Sequence, residues 1–315
     1  METSEIQTDI ISKRLFAFNA VVVFLIVVML FVINSSIEKK EAKKIVSEKN
    51  SESTAFNNIN LEAKSAYVYD VRESKVLFKK NEFAQFPLAS ITKLMMALTA
   101  VELIPRNSRV TIKKEFLSAE GDTGLLADES WTLAKLLDFS LLVSSNDGAR
   151  SIASVVGAMD LRTNDYNLGR ADFIAKMNAV AKKLGLKQTY FTNESGLDMG
   201  GVSGGYGSAI DVAKLMSHIL KVSPEMVEAT KYEFIDISSL EKVHRAENTN
   251  IYINKVPGLM ASKTGYTEMA GGNLVIAFDA SIGHPVVVVV LGSTIDGRFK
   301  DVEALVKASL AYIRE

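Results

Sequence analysis

The longest apolar stretch of the chain runs from residue 15 to residue 33, and Asn19 is its only strongly polar side chain. A helix of that length spans roughly 28 Å at about 1.5 Å per residue, which is close to the hydrocarbon thickness of a bilayer. Core helices are rarely apolar on every face over such a length. A cleavable signal peptide is the alternative, but the run ends in Asn34-Ser35-Ser36, a poor cleavage site. We therefore expect an N-terminal transmembrane helix over 15–33.

The residues that flank this span predict its orientation. Lys13 and Arg14 precede it, so residues 1–14 are expected on the cytoplasmic side. Residues 34–60 are rich in Lys, Glu, Ser and Asn, with little to bury, and are expected to form a polar stalk. A single domain over 61–315 would then lie outside the cytoplasmic membrane.

Within 61–315, strand patterns occupy both ends and helical patterns lie between them. Strands are predicted at 65–71 and 75–78, as a hairpin, and at 260–264, 273–280 and 285–291. The five valines at 286–290 fit a strand buried on both faces. This order predicts an α+β domain whose antiparallel sheet is built from both ends, with a helical subdomain between them. Helices are predicted at 90–103, 134–143, 149–156, 171–184, 208–220 and 304–313, and a glycine-rich loop at 196–207.

Composition and charge exclude several classes of function. Lys and Arg number 36 against 37 Asp and Glu, so the chain lacks the basic excess of nucleic-acid-binding proteins. The absence of cysteine removes disulfides, thiolate metal sites and cysteine nucleophiles. Three histidines argue against a histidine metal cluster. We expect no metal, no cofactor and no nucleic-acid partner.

Three short motifs follow one another along the predicted domain. Ser90-Ile91-Thr92-Lys93 places a hydroxyl and an amine on one face of a helix, Ser144-Ser145-Asn146 follows an apolar run, and Lys263-Thr264-Gly265 lies on a predicted strand. Each alone fits a structural role: a helix N-cap, a turn and an exposed strand edge. Together and in this order, the motifs indicate a site for acyl transfer to serine.

The chemistry of these side chains is coherent. Serine is a poor nucleophile without an adjacent base, and Lys93 can be that base only when it is neutral. Burial and a nearby cation lower the pKa of a lysine, and Lys263 can supply that cation while holding a substrate carboxylate. Ser144 can relay a proton to the leaving amine, and Asn146 can orient the substrate backbone. The two donors that a tetrahedral oxyanion needs would be the backbone N–H groups of Ser90 and Tyr266.

From about residue 61 to its end, the chain resembles the low-molecular-mass penicillin-binding proteins, the serine D-alanyl-D-alanine carboxypeptidases of the peptidase S11 type. The resemblance implies a transpeptidase-like fold shared with β-lactamases. It rests on the segments 87–93 (PLASITK), 141–147 (LLVSSND), 191–198 (FTNESGLD) and 263–267 (KTGYT).

The resemblance also assigns roles to individual residues. The substrate carboxylate would lie near Arg298. The catalytic residues would be Ser90 as the acylated nucleophile, Lys93 as its general base and Ser144 as the proton relay, and the substrate-binding residues would be Asn146, Lys263 and Thr264.

The activity implied by the resemblance is hydrolysis of D-alanyl-D-alanine in peptidoglycan stem peptides. β-Lactams would inhibit the protein by acylating the same serine. The protein would be a single-pass component of the cell membrane with its catalytic domain on the extracytoplasmic side. Family members of similarly short build cleave peptide crosslinks, so a D,D-endopeptidase activity stays open.

Three rival functions share part of these features. A class A β-lactamase activates water with a glutamate that follows the second motif, and no glutamate lies between Glu129 and Glu194. Residues 201–205 match the G-x-S-x-G motif of α/β-hydrolases but lack its strand-turn-helix context. A peptidoglycan-binding scaffold without activity would not need both Ser90 and Lys93.

Overall fold

The computed structural model describes residues 54–314 except 119, 122 and 123, together with Met29. Apart from Met29, the segments predicted as a cytoplasmic N-terminus and a membrane span, and most of the stalk, lie outside the described residues. No helix among the described residues is long and apolar enough to cross a membrane. The anchor over 15–33 therefore stays a prediction.

The described residues form an α+β arrangement, with the long strands at both ends and helices between. The strands are β1 (Ser65–Asp70), β2 (Lys75–Lys80), β3 (Phe86–Pro87), β4 (Arg109–Thr111), β5 (Ser130–Thr132), β6 (Tyr190–Phe191), β7 (Gly205–Gly207), β8 (Phe234–Ser238), β9 (Val243–Glu247), β10 (Leu259–Thr267), β11 (Gly271–Asp279) and β12 (Pro285–Ser293). The α-helices are α1 (Thr92–Leu103), α2 (Leu133–Leu142), α3 (Asn146–Leu161), α4 (Tyr166–Lys183), α5 (Ala209–Val222) and α6 (Gly297–Arg314).

The central sheet is antiparallel and has the strand order β10-β11-β12-β1-β2. Strands β1 and β12 are adjacent, so both ends of the domain complete the sheet, as predicted. The valines at 286–290 are fully buried because both faces of β12 are covered. Alternate valines join different cores: Val288 packs in the cluster that contains Phe299 of α6, and Val289 in the cluster of the helical segment.

Several helices are longer than the apolar periodicity predicts, because their first turns are polar. Helix α3 begins at Asn146 rather than 149, since the Ser145 hydroxyl accepts a hydrogen bond from the N–H of Gly148. Helix α4 begins at Tyr166 rather than 171, and the Asp165 carboxylate caps it. Helix α6 likewise begins at Gly297 rather than 304.

Two features differ from the predicted pattern in the loops. The stretch 196–207, predicted as a loop, ends in β7, which pairs with both β3 and β6. The hairpin of β8 and β9 has no counterpart among the predicted elements. Its buried side chains include only Ile237, His244 and Ala246, so its apolar signal is weak.

Candidate active site

The structure brings the three motifs together beside the edge strand β10. The Lys93 amine donates hydrogen bonds to Ser90 Oγ at 2.8 Å and to Asn146 Oδ1 at 2.7 Å. The Lys263 amine donates to Ser144 Oγ at 2.9 Å. Each amine thus contacts a serine hydroxyl: Lys93 that of Ser90 in its own motif, and Lys263 that of Ser144 in another motif. Acyl transfer to serine needs a base next to the nucleophile.

Ser90 lies in a short 3-10 turn, Ala89–Ile91, directly before α1. The predicted helix therefore begins two residues later, at Thr92, but the turn keeps Ser90 and Lys93 on one face. Ala89 has φ of +48°, a left-handed conformation that is costly for alanine. The neighbouring loop is fitted to it, since a Cβ built on Gly196 would lie 1.8 Å from the Ala89 carbonyl oxygen. The backbone before the nucleophile is held in a strained conformation.

Lys93 is completely buried and donates a third hydrogen bond to the carbonyl oxygen of Ser195 at 2.9 Å. Burial lowers the pKa of the Lys93 amine to about 7, although the carboxylate of Glu194 acts in the opposite direction. That carboxylate is itself bonded to Arg170 Nε at 2.9 Å. Near neutral pH a large share of Lys93 is therefore uncharged, and Lys93 can accept the proton of Ser90.

Lys263 is the second buried amine of the site. Burial, followed by the charges of Lys93 and Arg298, places the pKa of the Lys263 amine well below its ordinary range. Its second hydrogen bond goes to the carbonyl oxygen of Thr264 at 2.9 Å. Among the described residues no carboxylate lies within hydrogen-bonding distance of either amine, so a substrate carboxylate would restore the charged form of Lys263.

Ser144 and Asn146 lie at the start of α3, where the chain turns sharply. Ser144 has φ of +62° and presents its hydroxyl to Lys263. The Asn146 amide nitrogen donates to the carbonyl oxygen of Glu120 at 2.8 Å, and its oxygen accepts from Lys93. Because an amide oxygen accepts two hydrogen bonds, Asn146 retains acceptor capacity for a substrate N–H.

The structure adds residues to the site that the motif analysis missed. The Thr249 hydroxyl lies 2.5 Å from the Thr264 hydroxyl, and no motif contains Thr249. The Ser195 carbonyl reaches Lys93 because the Asn193 side chain accepts hydrogen bonds from the backbone N–H groups of Ser195 and Gly196. The segment FTNESGLD that contains these residues was recognised through the family resemblance, whereas Thr249 carried no signal.

Arg298, which the resemblance places near the substrate carboxylate, lies beside the third motif. It is 9% exposed, and its guanidinium donates to the carbonyl oxygen of Gly265 at 2.7 Å. Gly265 itself packs against the nucleophile, since a Cβ built on it would lie 3.2 Å from Ser90 N. Arg298 thus contacts the third motif through its backbone.

Sequence comparison supports the interpretation of these motifs. Residues 48–294 match the family model for D-alanyl-D-alanine carboxypeptidases. The chain is 31% identical over 215 residues to the D-alanyl-D-alanine carboxypeptidase DacF of Bacillus subtilis, covering 66% of this chain and 52% of that protein. It therefore spans about half the length of that relative. It is 29% identical to a D-alanyl-D-alanine endopeptidase of Haemophilus influenzae, covering 68% of this chain and 69% of the relative.

Solved structures share the same fold. A D-alanyl-D-alanine carboxypeptidase from Mycobacterium tuberculosis superposes with a TM-score of 0.71 at 26% identity, covering 81% of this chain and 95% of that chain. Penicillin-Binding Protein D2 from Listeria monocytogenes, in its ampicillin-bound form, gives a TM-score of 0.68 at 29% identity, covering 80% and 98% of the two chains. The predicted transpeptidase-like α+β fold with an antiparallel sheet and a set of helices is confirmed.

Proposed function

The chain belongs to the D-alanyl-D-alanine carboxypeptidase family, and from that premise we propose that it hydrolyses the terminal D-alanyl-D-alanine bond of peptidoglycan stem peptides. One observation carries this proposal above the others: the buried Lys93 amine lies 2.8 Å from Ser90 Oγ, and its pKa is lowered to about 7. A nucleophile with a base of that pKa is active near neutral pH.

In the proposed acylation, Ser90 Oγ attacks the carbonyl carbon of the scissile bond while the Lys93 amine takes the hydroxyl proton. The backbone N–H groups of Ser90 and Tyr266 hold the oxyanion of the tetrahedral intermediate. The C–N bond then breaks, the leaving amine takes a proton through the Ser144 hydroxyl, and D-alanine departs. Water hydrolyses the ester on Ser90, with Lys93 again as the base, which regenerates both groups.

The substrate carboxylate binds to the third motif. Lys263 and Thr264 hold it by an ammonium ion and a hydroxyl, while Asn146 accepts from the substrate backbone. The Thr249 hydroxyl can donate a hydrogen bond to the Thr264 hydroxyl or accept one from it. This hydrogen bond orients the Thr264 hydroxyl toward the carboxylate. Two charge-assisted contacts of this kind account for selection of a C-terminal residue.

The expected products separate carboxypeptidase from endopeptidase activity. The purified protein is incubated with a pentapeptide ending in D-alanyl-D-alanine and, separately, with a crosslinked muropeptide. We expect release of D-alanine from the pentapeptide, and none with Ser90→Ala. Cleavage of the crosslinked muropeptide alone would favour the endopeptidase, a candidate supported by the similarity to the Haemophilus influenzae endopeptidase.

We also propose that β-lactams acylate Ser90 and that the resulting ester is hydrolysed slowly. The ring keeps the leaving amine in the path by which water would reach the ester. The two aspartates that could replace the β-lactamase glutamate are otherwise engaged: Asp165 caps α4, and Asp172 is bonded to Lys176. Mass spectrometry after mixing with penicillin should find an adduct on the Ser90 peptide that persists for minutes. Rapid repeated turnover to penicilloate would instead assign the protein to the β-lactamases.

We propose, further, that residues 15–33 anchor the protein in the cell membrane with the catalytic domain on the extracytoplasmic side. The uninterrupted apolar run and an extracellular substrate support this location. Full-length protein should sediment with membranes and resist carbonate extraction. Recovery of a mature soluble form that begins near Ser36 would contradict the proposal.

A further inference from the structure

Arg298, at the start of α6, is bound to the backbone of the site. Its guanidinium donates to the carbonyl oxygen of Gly265 at 2.7 Å within the protein interior. A hydrogen bond from a charged donor is among the stronger kinds that proteins form. A role for this arginine on the substrate carboxylate leaves that bond unexplained.

The Arg298 side chain reaches Gly265 across the face of β11. Gly272 of β11 pairs with Tyr266, and a Cβ built on Gly272 would lie 3.3 Å from Arg298 Cδ and 2.0 Å from the Thr294 carbonyl oxygen. A side chain at 272 would therefore fill the path that Arg298 takes. Because β10 is the edge strand of the sheet, its other side is the open edge.

The carbonyl of Gly265 and the N–H of Tyr266 belong to one planar peptide unit, in which they point in opposite directions. With the carbonyl bound from the side of β11, the Tyr266 N–H points to the open edge of β10. The nucleophile lies beside that edge, since a Cβ built on Gly265 would be 3.2 Å from Ser90 N. The two backbone donors of the proposed oxyanion site, the N–H groups of Ser90 and Tyr266, are thus neighbours. Arg298 binds the carbonyl oxygen of the peptide unit that carries the Tyr266 N–H.

We propose that Arg298 is a positioning residue for the oxyanion site: its guanidinium fixes the Gly265–Tyr266 peptide unit and so aims the Tyr266 N–H at the developing oxyanion. A cation on the carbonyl also polarises the peptide group, which makes its N–H a stronger donor. The inference rests on the proposed function, because it requires that Ser90 be acylated.

An ion pair between Arg298 and the substrate carboxylate is the alternative role. The Nε atom of Arg298 has no hydrogen-bond partner among the described residues, so its N–H remains as a donor for such a contact. The two roles act at different stages. Loss of a carboxylate contact made before the reaction weakens binding, whereas loss of a correctly aimed N–H slows acylation once the ligand is bound.

The test compares the wild type with Arg298→Met and Arg298→Gln in acylation by ampicillin. Lys300→Met is the matched control, because Lys300 is an exposed cation two residues further along α6. Stopped-flow kinetics separates the dissociation constant from the limiting acylation rate. Infrared spectroscopy of carbonyl-labelled adducts then reports how strongly the ester oxygen is hydrogen-bonded in the oxyanion site.

We expect the limiting rate of Arg298→Met to fall by about tenfold or more, part of the 10²–10³-fold that loss of one oxyanion donor costs. The dissociation constant should stay near the wild-type value, and the ester carbonyl stretch should move to higher frequency. Arg298→Gln keeps an N–H donor without the charge and should be intermediate. Lys300→Met should match the wild type in all three measurements.

A raised dissociation constant with an unchanged limiting rate and carbonyl frequency would overturn the inference and assign Arg298 to the carboxylate. If Arg298→Met does not fold, the carbonyl frequency of the Arg298→Gln adduct decides the question. Absence of a wild-type adduct on Ser90 would overturn the proposed function together with this inference. A wild-type adduct with unchanged rates and frequencies in both variants overturns the inference alone.

Discussion

Buried ionisable groups have different hydrogen-bond partners inside and outside the candidate active site. In the site, the amines of Lys93 and Lys263 are buried among hydroxyls, an amide and carbonyl oxygens. Elsewhere, several buried or half-buried ionisable groups lie in pairs with carboxylates. These pairs are His244 with Glu129 at 2.5 Å, His284 with Asp70 at 2.7 Å and Arg170 with Glu194 at 2.9 Å.

The difference separates stability from catalysis. A paired buried group satisfies its partner and fixes two chain segments together, and removing one member leaves the other without a partner. An amine buried without a carboxylate has a lowered pKa and can act as a base or receive an anion. The candidate site therefore gives up local stability for reactivity, in the same region where Ala89 and Ser144 have positive φ.

The largest expected effect comes from removing the amine beside the nucleophile. Lys93→Met should lower the rate of acylation by penicillin by about 10²–10⁴-fold, because Ser90 loses its base. A fluorescent penicillin label measures the rate. Lys182→Met, which changes an exposed lysine at the end of α4, is the control. Equal rates in Lys93→Met and the wild type would exclude Lys93 as the base.

A smaller effect is expected at the second amine. Lys263→Ala should raise the KM for a D-alanyl-D-alanine peptide by roughly 10–100-fold, which corresponds to about 1.4–2.7 kcal/mol, because the substrate carboxylate loses its ammonium partner. Lys263→Arg keeps a cation and should retain part of the affinity. Steady-state kinetics of the three proteins distinguishes these outcomes, and an unchanged KM in Lys263→Ala would remove Lys263 from carboxylate binding.

The pH dependence of acylation tests the comparison further. The carboxylate of Glu194, which is paired with Arg170, lies close enough to Lys93 to affect the pKa of its amine. Lys93 must be neutral to accept a proton, so the rate should rise with pH through about 7 and then level off. Glu194 raises the pKa of Lys93, so Glu194→Gln should move the midpoint to lower pH. A midpoint that stays in place would show that Glu194 acts only on Arg170.

The smallest effect on catalysis is expected from the Asp70–His284 pair, which lies outside the candidate active site. Asp70, the last residue of β1, accepts a hydrogen bond from the Glu73 N–H and contacts a ring nitrogen of His284. Asp70→Ala should cost about 1–3 kcal/mol of unfolding free energy, because buried polar partners are left unsatisfied. Thermal unfolding measures that loss, and the acylation rate of the folded protein should not change. A large loss of acylation without loss of stability would contradict the division between the two regions.

The sequence predicted the long central strands closely, because their apolar residues are numerous and their periods clear. The strand pattern at 285–291 became β12, extended by only two residues. Helix starts were predicted less well: α3 begins with Asn146 and Asp147, whose polarity hides the helical period until 149. The β8–β9 hairpin was missed because only one face of it is buried, and the apolar residues Phe234 and Val243 lie on the exposed face.

The predicted site residues meet in space, but the contacts that tune them depend on tertiary structure. Ser90, Lys93 and Asn146 could be selected from motifs, since the spacing within each motif is short. Thr249 reaches Thr264 only because the segment after β9 returns to the edge of β10. The Gly265 contact of Arg298 likewise depends on the packing of α6 against the sheet, which no local pattern encodes.

The protonation state of Lys93 is the central claim of this account, and nuclear magnetic resonance measures it directly. Protein labelled with ¹³C at the lysine ε-carbons is titrated, and the Lys93 signal is assigned by its loss in Lys93→Met. We expect that signal to titrate with a midpoint near pH 7, well below the range of the exposed lysines. A Lys93 signal that stays in its protonated position up to pH 9 would contradict the claim that this amine is the base for Ser90.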